Sequence, residues 1–248
     1  MQHYRNLPVP DKLADVCHPD RMALIVYDMQ VGVMSQLADG PEITERVSRV
    51  LEAARRAGVR VFFTRHMSLP VELMGISQLR TAMAWQHKDR VEEIVSPFLR
   101  DSPGFDVVPE LAPLESEAVF DKLSMSAFEG TPLEFALRDA QVPAFAIAGV
   151  AIEVGLEPTA RHGADLGLIP IVVTDACGAG NHAAAERSLE VLAFAGDAML
   201  TDISTFTDLL ARASTSPKGG DPDTAIRAGA ASREASPPKS SGERPRRS

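Results

Sequence analysis

Short, nearly continuous apolar runs alternate along this chain with segments whose apolar residues recur every three to four positions. The first run, Met22–Asp28 (MALIVYD), ends in an acid and has the pattern of a strand buried on both faces. In Ile43–Ala57 the residues Ile43, Val47, Val50, Leu51 and Ala54 share one helical face, and Gly58 stands where a helix-ending glycine belongs. Val59–Arg65 (VRVFFTR) and Glu117–Asp121 (EAVFD) read as the second and third strands. Thr131 caps a helix, with Pro132 at its first position and Glu134 three residues after the cap. Pro143–Gly149 (PAFAIAG) is the fourth strand, Glu153–Leu166 a helix, and Ile169–Asp175 (IPIVVTD) the fifth strand. A helix from His182 to Ala195, a short strand Ala198–Thr201 and a helix from Thr205 to Ala213 complete the series.

Strands that alternate with helices predict an α/β fold: three layers, α/β/α, around a mostly parallel six-stranded sheet. The stretch 68–114 breaks the rhythm and reads as a partly helical insertion near the site. One domain, residues 1–212, is expected, followed by a tail over 213–248. That tail holds seven basic and four acidic residues, five prolines and no aromatic residue, so it is expected to be disordered. The whole chain carries −9, so a tail of +3 leaves −12 on the body. So acidic a body argues against a nucleic-acid partner, which needs a basic face. No apolar run approaches the ~20 residues of a membrane span. The opening Met-Gln-His-Tyr-Arg also lacks a signal-peptide layout, so a cytoplasmic location without a membrane partner is expected. Cys17 and Cys177 are the two cysteines, and their spacing offers neither a disulfide framework nor a zinc site.

In such sheets ligands bind at the carboxyl ends of the strands. Three of these ends nominate chemistry. The first strand ends at Asp28 and is followed by Gln30; the third runs into Lys122; the fourth ends at Gly149, and the chain enters a helix through Ala151, Glu153 and Gly155. An ammonium beside a carboxylate would hold and orient its charge, and backbone N–H groups at a helix start can stabilise an oxyanion. Spacing alone also allows these to be the ordinary polar ends of α/β strands.

Four stretches carry more than spacing: ALIVYDMQ (23–30), FDKLSMSAFEGTPLEFAL (120–137), AIAGVAIEVGLEPTARHGADLG (146–167) and IVVTDACGAG (171–180). In this order they resemble the isochorismatase-like superfamily, the cysteine hydrolases, over roughly residues 20–210 apart from 68–114. The resemblance implies a catalytic Asp at Asp28 and Lys at Lys122, and it sets Gly155 where the family keeps its cysteine. Neither Cys17 nor Cys177 falls at that position. The chain is similar in this to the isochorismatases proper, which carry glycine there and cleave a vinyl ether with no covalent intermediate. Asp28 would then act as general acid, whereas in the amidase branch the same Asp is the base. Its protonation would be coupled to that of Lys122.

The resemblance further implies a non-proline cis peptide at Val150–Ala151, with Ala151 and Gly155 N–H groups turned to the pocket, and a homo-oligomer, dimer or tetramer. Glu153 reads as a second pocket carboxylate or, preferably, as an acid in the first turn of its helix. Gln30, Arg65, Gln78 and Trp85, with Arg80 and Gln86 nearby, are candidates for substrate contact. Ser124, Ser126 and Phe128 line the pocket or pack the loop, and Glu157, Thr159 and Arg161 read as a supporting polar network. His66 stands alone in TRHMSLPVEL, so no metal is expected; a single histidine at a strand end reads as a hydrogen-bonded structural residue. No cofactor is expected. The expected function is hydrolysis of a small organic substrate without a cysteine nucleophile. The alternatives are an amide or ureide C–N hydrolase using water, and a catalytically silent small-molecule-binding protein.

Overall fold

The structure, a computed structural model, describes residues 1–215. The expected tail begins in the last turn of the final helix, and its remainder, 216–248, lies outside the described residues.

The chain opens with an exposed hairpin, β1 (Gln2–Tyr4) against β2 (Leu7–Val9). Then come β3 (Met22–Tyr27), a one-turn α1 (Val31–Met34), α2 (Gly40–Ala57) and β4 (Arg60–His66). A long excursion carries α3 (Ile76–Gln86) before β5 (Ala118–Lys122), α4 (Leu133–Asp139) and β6 (Ala144–Gly149). A π turn, Ile152–Leu156, leads into α5 (Glu157–Asp165), and β7 (Ile169–Cys177), α6 (His182–Ala195), β8 (Met199–Thr201) and α7 (Ile203–Thr215) follow. Six strands form one parallel sheet in the order β5-β4-β3-β6-β7-β8. This is the expected three-layer α/β fold.

The sheet's alternation divides the core. Met22, Leu24 and Val26 of β3 face Ile43, Val47 and Leu51 of α2 and Phe206 of α7. Ala23, Ile25 and Tyr27 face Leu133 and Leu137 of α4, Ala160 of α5 and Leu192 of α6. Strand β3 is buried on both faces, which is why it reads as an unbroken apolar run. Gly58 ends α2 at φ 75°, the left-handed conformation that glycine adopts without a steric penalty.

The excursion 67–117 differs in kind. Helix α3 has no buried residue. The excursion is tied at Phe105 to the end of β4 by Gln30, whose side-chain amide donates to the His66 and Phe105 carbonyls at 3.1 and 2.9 Å. The Gln30 Oε1 accepts from the His66 backbone N–H at 2.7 Å.

Candidate active site

The parallel order of the sheet brings Asp28, after β3, beside the ends of β4 and β5, where Thr64, His66 and Lys122 lie. Asp28 sits at φ 47°, left-handed backbone that costs a non-glycine residue roughly 1–2 kcal/mol. Its backbone N–H donates to both the carbonyl and the hydroxyl of Thr64, each at 3.2 Å. Strain of this kind persists where surrounding contacts overdetermine it, and it concentrates at functional sites.

Asp28 and Lys122 are both buried, and the Lys122 Nζ donates to Asp28 Oδ2 at 2.6 Å. Thr64 Oγ1, also buried, donates to the other oxygen, Oδ1, at 2.6 Å. Both carboxyl oxygens therefore have a hydrogen-bond partner, one an ammonium and the other a hydroxyl. Lys122 Nζ also donates to the Ser124 carbonyl at 3.2 Å and lies 4.4 Å from the centre of the Tyr27 ring. The aromatic face adds a cation–π attraction to the pair. Thr64 and Tyr27, which the sequence did not nominate, complete the candidate site by contact with the pair. The signal for Thr64 is its register: it lies directly opposite Tyr27 in the β3–β4 pairing, one residue before Asp28.

Gly155 lies in the π turn, where the Ala151 carbonyl accepts from the Val154, Gly155 and Leu156 N–H groups at 3.3, 3.0 and 3.2 Å. The Gly155 N–H is thus spent within the turn. The Val150–Ala151 peptide is cis. A Cβ built on Gly155 would come within 2.5 Å of Tyr27 Cε1, and it would overlap Cζ and the hydroxyl outright. The space a side chain needs at the family's cysteine position is filled by a tyrosine ring. That ring is buried and anchored through its hydroxyl, which donates to the Met125 carbonyl. Burial raises the Tyr27 phenol well above its ordinary pKa, with the Asp28 charge adding to the effect.

Neither thiol approaches the pair through the contacts it makes. Cys17 Sγ points at the Phe206 carbonyl, 4.0 Å away on the α7 side. Cys177 Sγ lies 3.1 Å from the Val173 carbonyl within its own strand. Burial pushes both thiols up to about 12, so both are protonated near neutral pH.

Beside the pair lies a cavity of about 400 Å³, walled on one side by His66, Leu123, Ser124 and Met125 and on the other by the excursion. Gln78, Trp85 and Gln86 of α3 and Phe98 lie on that second wall. A broader groove of about 810 Å³ runs between Met34, Pro41, Thr44, Arg49 and Val108. Asp28, Thr64 and Lys122 line neither space, but the smaller one is bordered by Ser124, whose carbonyl accepts from Lys122, and by His66 at the end of β4. His66 contacts Trp85 and Phe98 with ring centres 6.4 and 6.0 Å away. Burial and the neighbouring Lys122 charge lower the His66 pKa to about 4, so the ring is neutral near neutral pH. Its Nδ1 is buried without a hydrogen-bond partner among the described residues, in contrast to the hydrogen-bonded structural histidine that the sequence leads one to expect.

The other nominated residues divide by where their polar atoms go. Gln78 and Trp85 are on the cavity wall. Gln30 is fully buried with its amide committed to backbone. Arg65 stacks over the Phe105 ring at 4.2 Å and pairs with Asp121 at 2.8 Å and Asp106 at 3.3 Å. Glu153 Oε1 accepts from the Asn181 backbone N–H at 2.7 Å, which ties the π turn to the start of α6. Behind the turn, Thr159 Oγ1 donates to the Gly155 carbonyl at 2.7 Å and accepts from the Ala127 N–H at 3.0 Å. Arg161 bridges Glu157 and Asp197 at 3.0 Å each. Among the described residues, no three His, Cys, Asp or Glu side chains gather as a metal cluster, and no helix is long and apolar enough to cross a membrane.

The isochorismatase domain model matches residues 22–205, and the chain belongs to that family. Among curated relatives it is 28% identical to the ureidoacrylate amidohydrolase RutB of Serratia proteamaculans, over 76% of this chain and 78% of that protein. It is also 28% identical to the uncharacterized isochorismatase family protein YecD of Escherichia coli O157:H7, over 63% of this chain and 79% of that protein. Of solved structures, a cysteine hydrolase from Pseudomonas syringae pv. phaseolicola superposes with TM-score 0.65 at 27% identity, covering 79% of this chain and 94% of that one. The N-carbamoylsarcosine amidase of Thermoplasma acidophilum shares the fold, with TM-score 0.59 at 19% identity over 80% of this chain and 99% of that one. The protein is an isochorismatase-family hydrolase.

Proposed function

We propose that this hydrolase cleaves a C–N bond of a small amide or ureide with water in place of a thiol, Asp28 acting as general base. The observation that carries the thiol-free reading is the Tyr27 ring in the space a side chain at Gly155 would need. The two cysteines are buried, and their sulfurs contact backbone carbonyls elsewhere in the fold.

Asp28 takes a proton from water as the oxygen adds to the carbonyl carbon, and returns it to the leaving nitrogen. Lys122 and Thr64 keep the carboxylate oriented, and the ammonium offsets negative charge that develops beside it. Amidohydrolase names among the relatives favour the C–N bond.

The test is a Cys17→Ser/Cys177→Ala variant assayed against amides, ureides and vinyl ethers. Retained turnover, together with loss in Asp28→Asn at an unchanged circular dichroism spectrum, is the expected result. Loss of turnover in the folded cysteine-free variant overturns the thiol-free mechanism.

A further inference from the structure

Among the described residues, none of those lining the cavity is Asp, Glu, Lys or Arg. Its polar atoms come from neutral side chains, among them Gln78, Thr81 and Ser124, and its apolar surface from Met74, Trp85 and Phe98. The cations of the neighbourhood are engaged with acids. Lys122 binds Asp28 at 2.6 Å, and Arg65 and Arg100 both bind Asp121, at 2.8 and 3.2 Å. Arg80 is exposed on α3 and does not reach the wall. A carboxylate entering here would lose its water without gaining a cation, a heavy penalty in a partly apolar site. His66, in contrast, lines the cavity with its ring, between two aromatic side chains and against the Asp28–Lys122 pair; its Nδ1 is buried without a partner among the described residues, which leaves Nε2 as the nitrogen that a ligand can meet.

We propose that this cavity selects an uncharged, flat amide or ureide, and that His66 is the specificity-determining residue that hydrogen-bonds its polar group. The inference rests on the hydrolase reading above and sets this chain apart in charge from the ureidoacrylate that names its RutB relatives, since an acrylate carries a carboxylate. The neutral imidazole supplies direction without charge: it discriminates by hydrogen bond, and an acid gains nothing from it.

Trp85, the chain's one tryptophan, lies on the wall and reports binding by its fluorescence, independently of turnover. The full chain is titrated with two matched pairs: benzamide against 4-carbamoylbenzoate, and phenylurea against 4-ureidobenzoate. The neutral member is expected to bind at least about tenfold tighter in each pair. His66→Phe is expected to weaken the neutral ligand about tenfold through KM with kcat nearly constant, and His66→Gln, which keeps a hydrogen-bonding group, to recover part of it. Gln78→Arg, which adds a cation from the exposed helix, is expected to move the preference towards the carboxylates. Carboxylates that bind as tightly as their neutral partners, or a wild type that binds neither member of either pair, overturn the proposal. Selective neutral binding without turnover supports the charge selection while counting against the C–N mechanism, so the two fail separately.

Discussion

Putting a methyl group on Gly155 tests the architecture of the site directly. The new Cβ would fall on the Tyr27 ring, which is 1% exposed and packed in the core. Overpacking of a tight core costs about 1–3 kcal/mol. Moving the ring also strains the bond from its hydroxyl to the Met125 carbonyl and its contact with Lys122, so Gly155→Ala is expected to cost about 2–4 kcal/mol. For a domain of this size that lowers Tm by roughly 5–15 °C. Urea unfolding gives the free energy, and thermal melting followed by circular dichroism gives Tm. Tyr27→Val alone opens a cavity and is destabilising in its own right. In the double variant Tyr27→Val/Gly155→Ala the clash is gone, and the two costs should fall short of additive by at least about 1 kcal/mol. Tyr27→Phe is no remedy, because the ring carbons remain. A Gly155→Ala protein that melts within about 1 °C of the parent would refute the argument that the ring owns this space. The same reasoning expects Gly155→Cys alone to leave amide turnover without a thiol nucleophile.

Three further outcomes follow from the pair and its neighbours. Thr64→Val removes the hydrogen bond to Asp28 Oδ1 at nearly constant volume, and a loss of about 1.5–3 kcal/mol lowers kcat about tenfold to a hundredfold with the fold kept, as read by steady-state kinetics. Lys122→Met strands a buried carboxylate and should cost about 3–5 kcal/mol in urea unfolding, while Lys122→Met/Asp28→Asn regains most of that stability without activity. His66 has a folded pKa near 4 against 6.5 unfolded, so the unfolded chain binds more protons between these values. Its contribution to stability is therefore full above about pH 6.5 and is lost as pH falls towards 4, at up to about 1.4 kcal/mol per pH unit. Unfolding titrations of the parent and His66→Phe should diverge in that window; parallel curves would exclude His66 as the cause.

Most of the sheet is legible in the sequence because β3, β6 and β7 are apolar on both faces and leave long runs. The start of the helix after β6 is not. It is expected at Glu153, whereas a π turn intervenes before α5 begins at Glu157, because one carbonyl, that of Ala151, gathers three N–H groups. The hairpin β1–β2 is invisible to periodicity, since every one of its residues is exposed. Asp28 and Lys122 are recoverable from the motifs as separate strand ends, but their ion pair requires the strand order β5-β4-β3, which no local pattern encodes. Gln30 and Arg65 are polar residues in the right place whose atoms are consumed by backbone and by acids, and only coordinates reveal that. Tyr27 reads as one more apolar strand residue until the packing against Gly155 is known.

Strand β5 is one of the two borders of the sheet, paired on one side only, and Lys122 is its last residue. Half of the charged pair thus hangs from a strand with backbone partners on one side only, while Asp28 is rooted in the middle. Border strands open locally at lower free energy than the whole domain. Heating should therefore silence the enzyme before it melts it: the fraying of a few residues at 118–122 withdraws the ammonium, and catalysis becomes the most thermally fragile property of an otherwise intact fold.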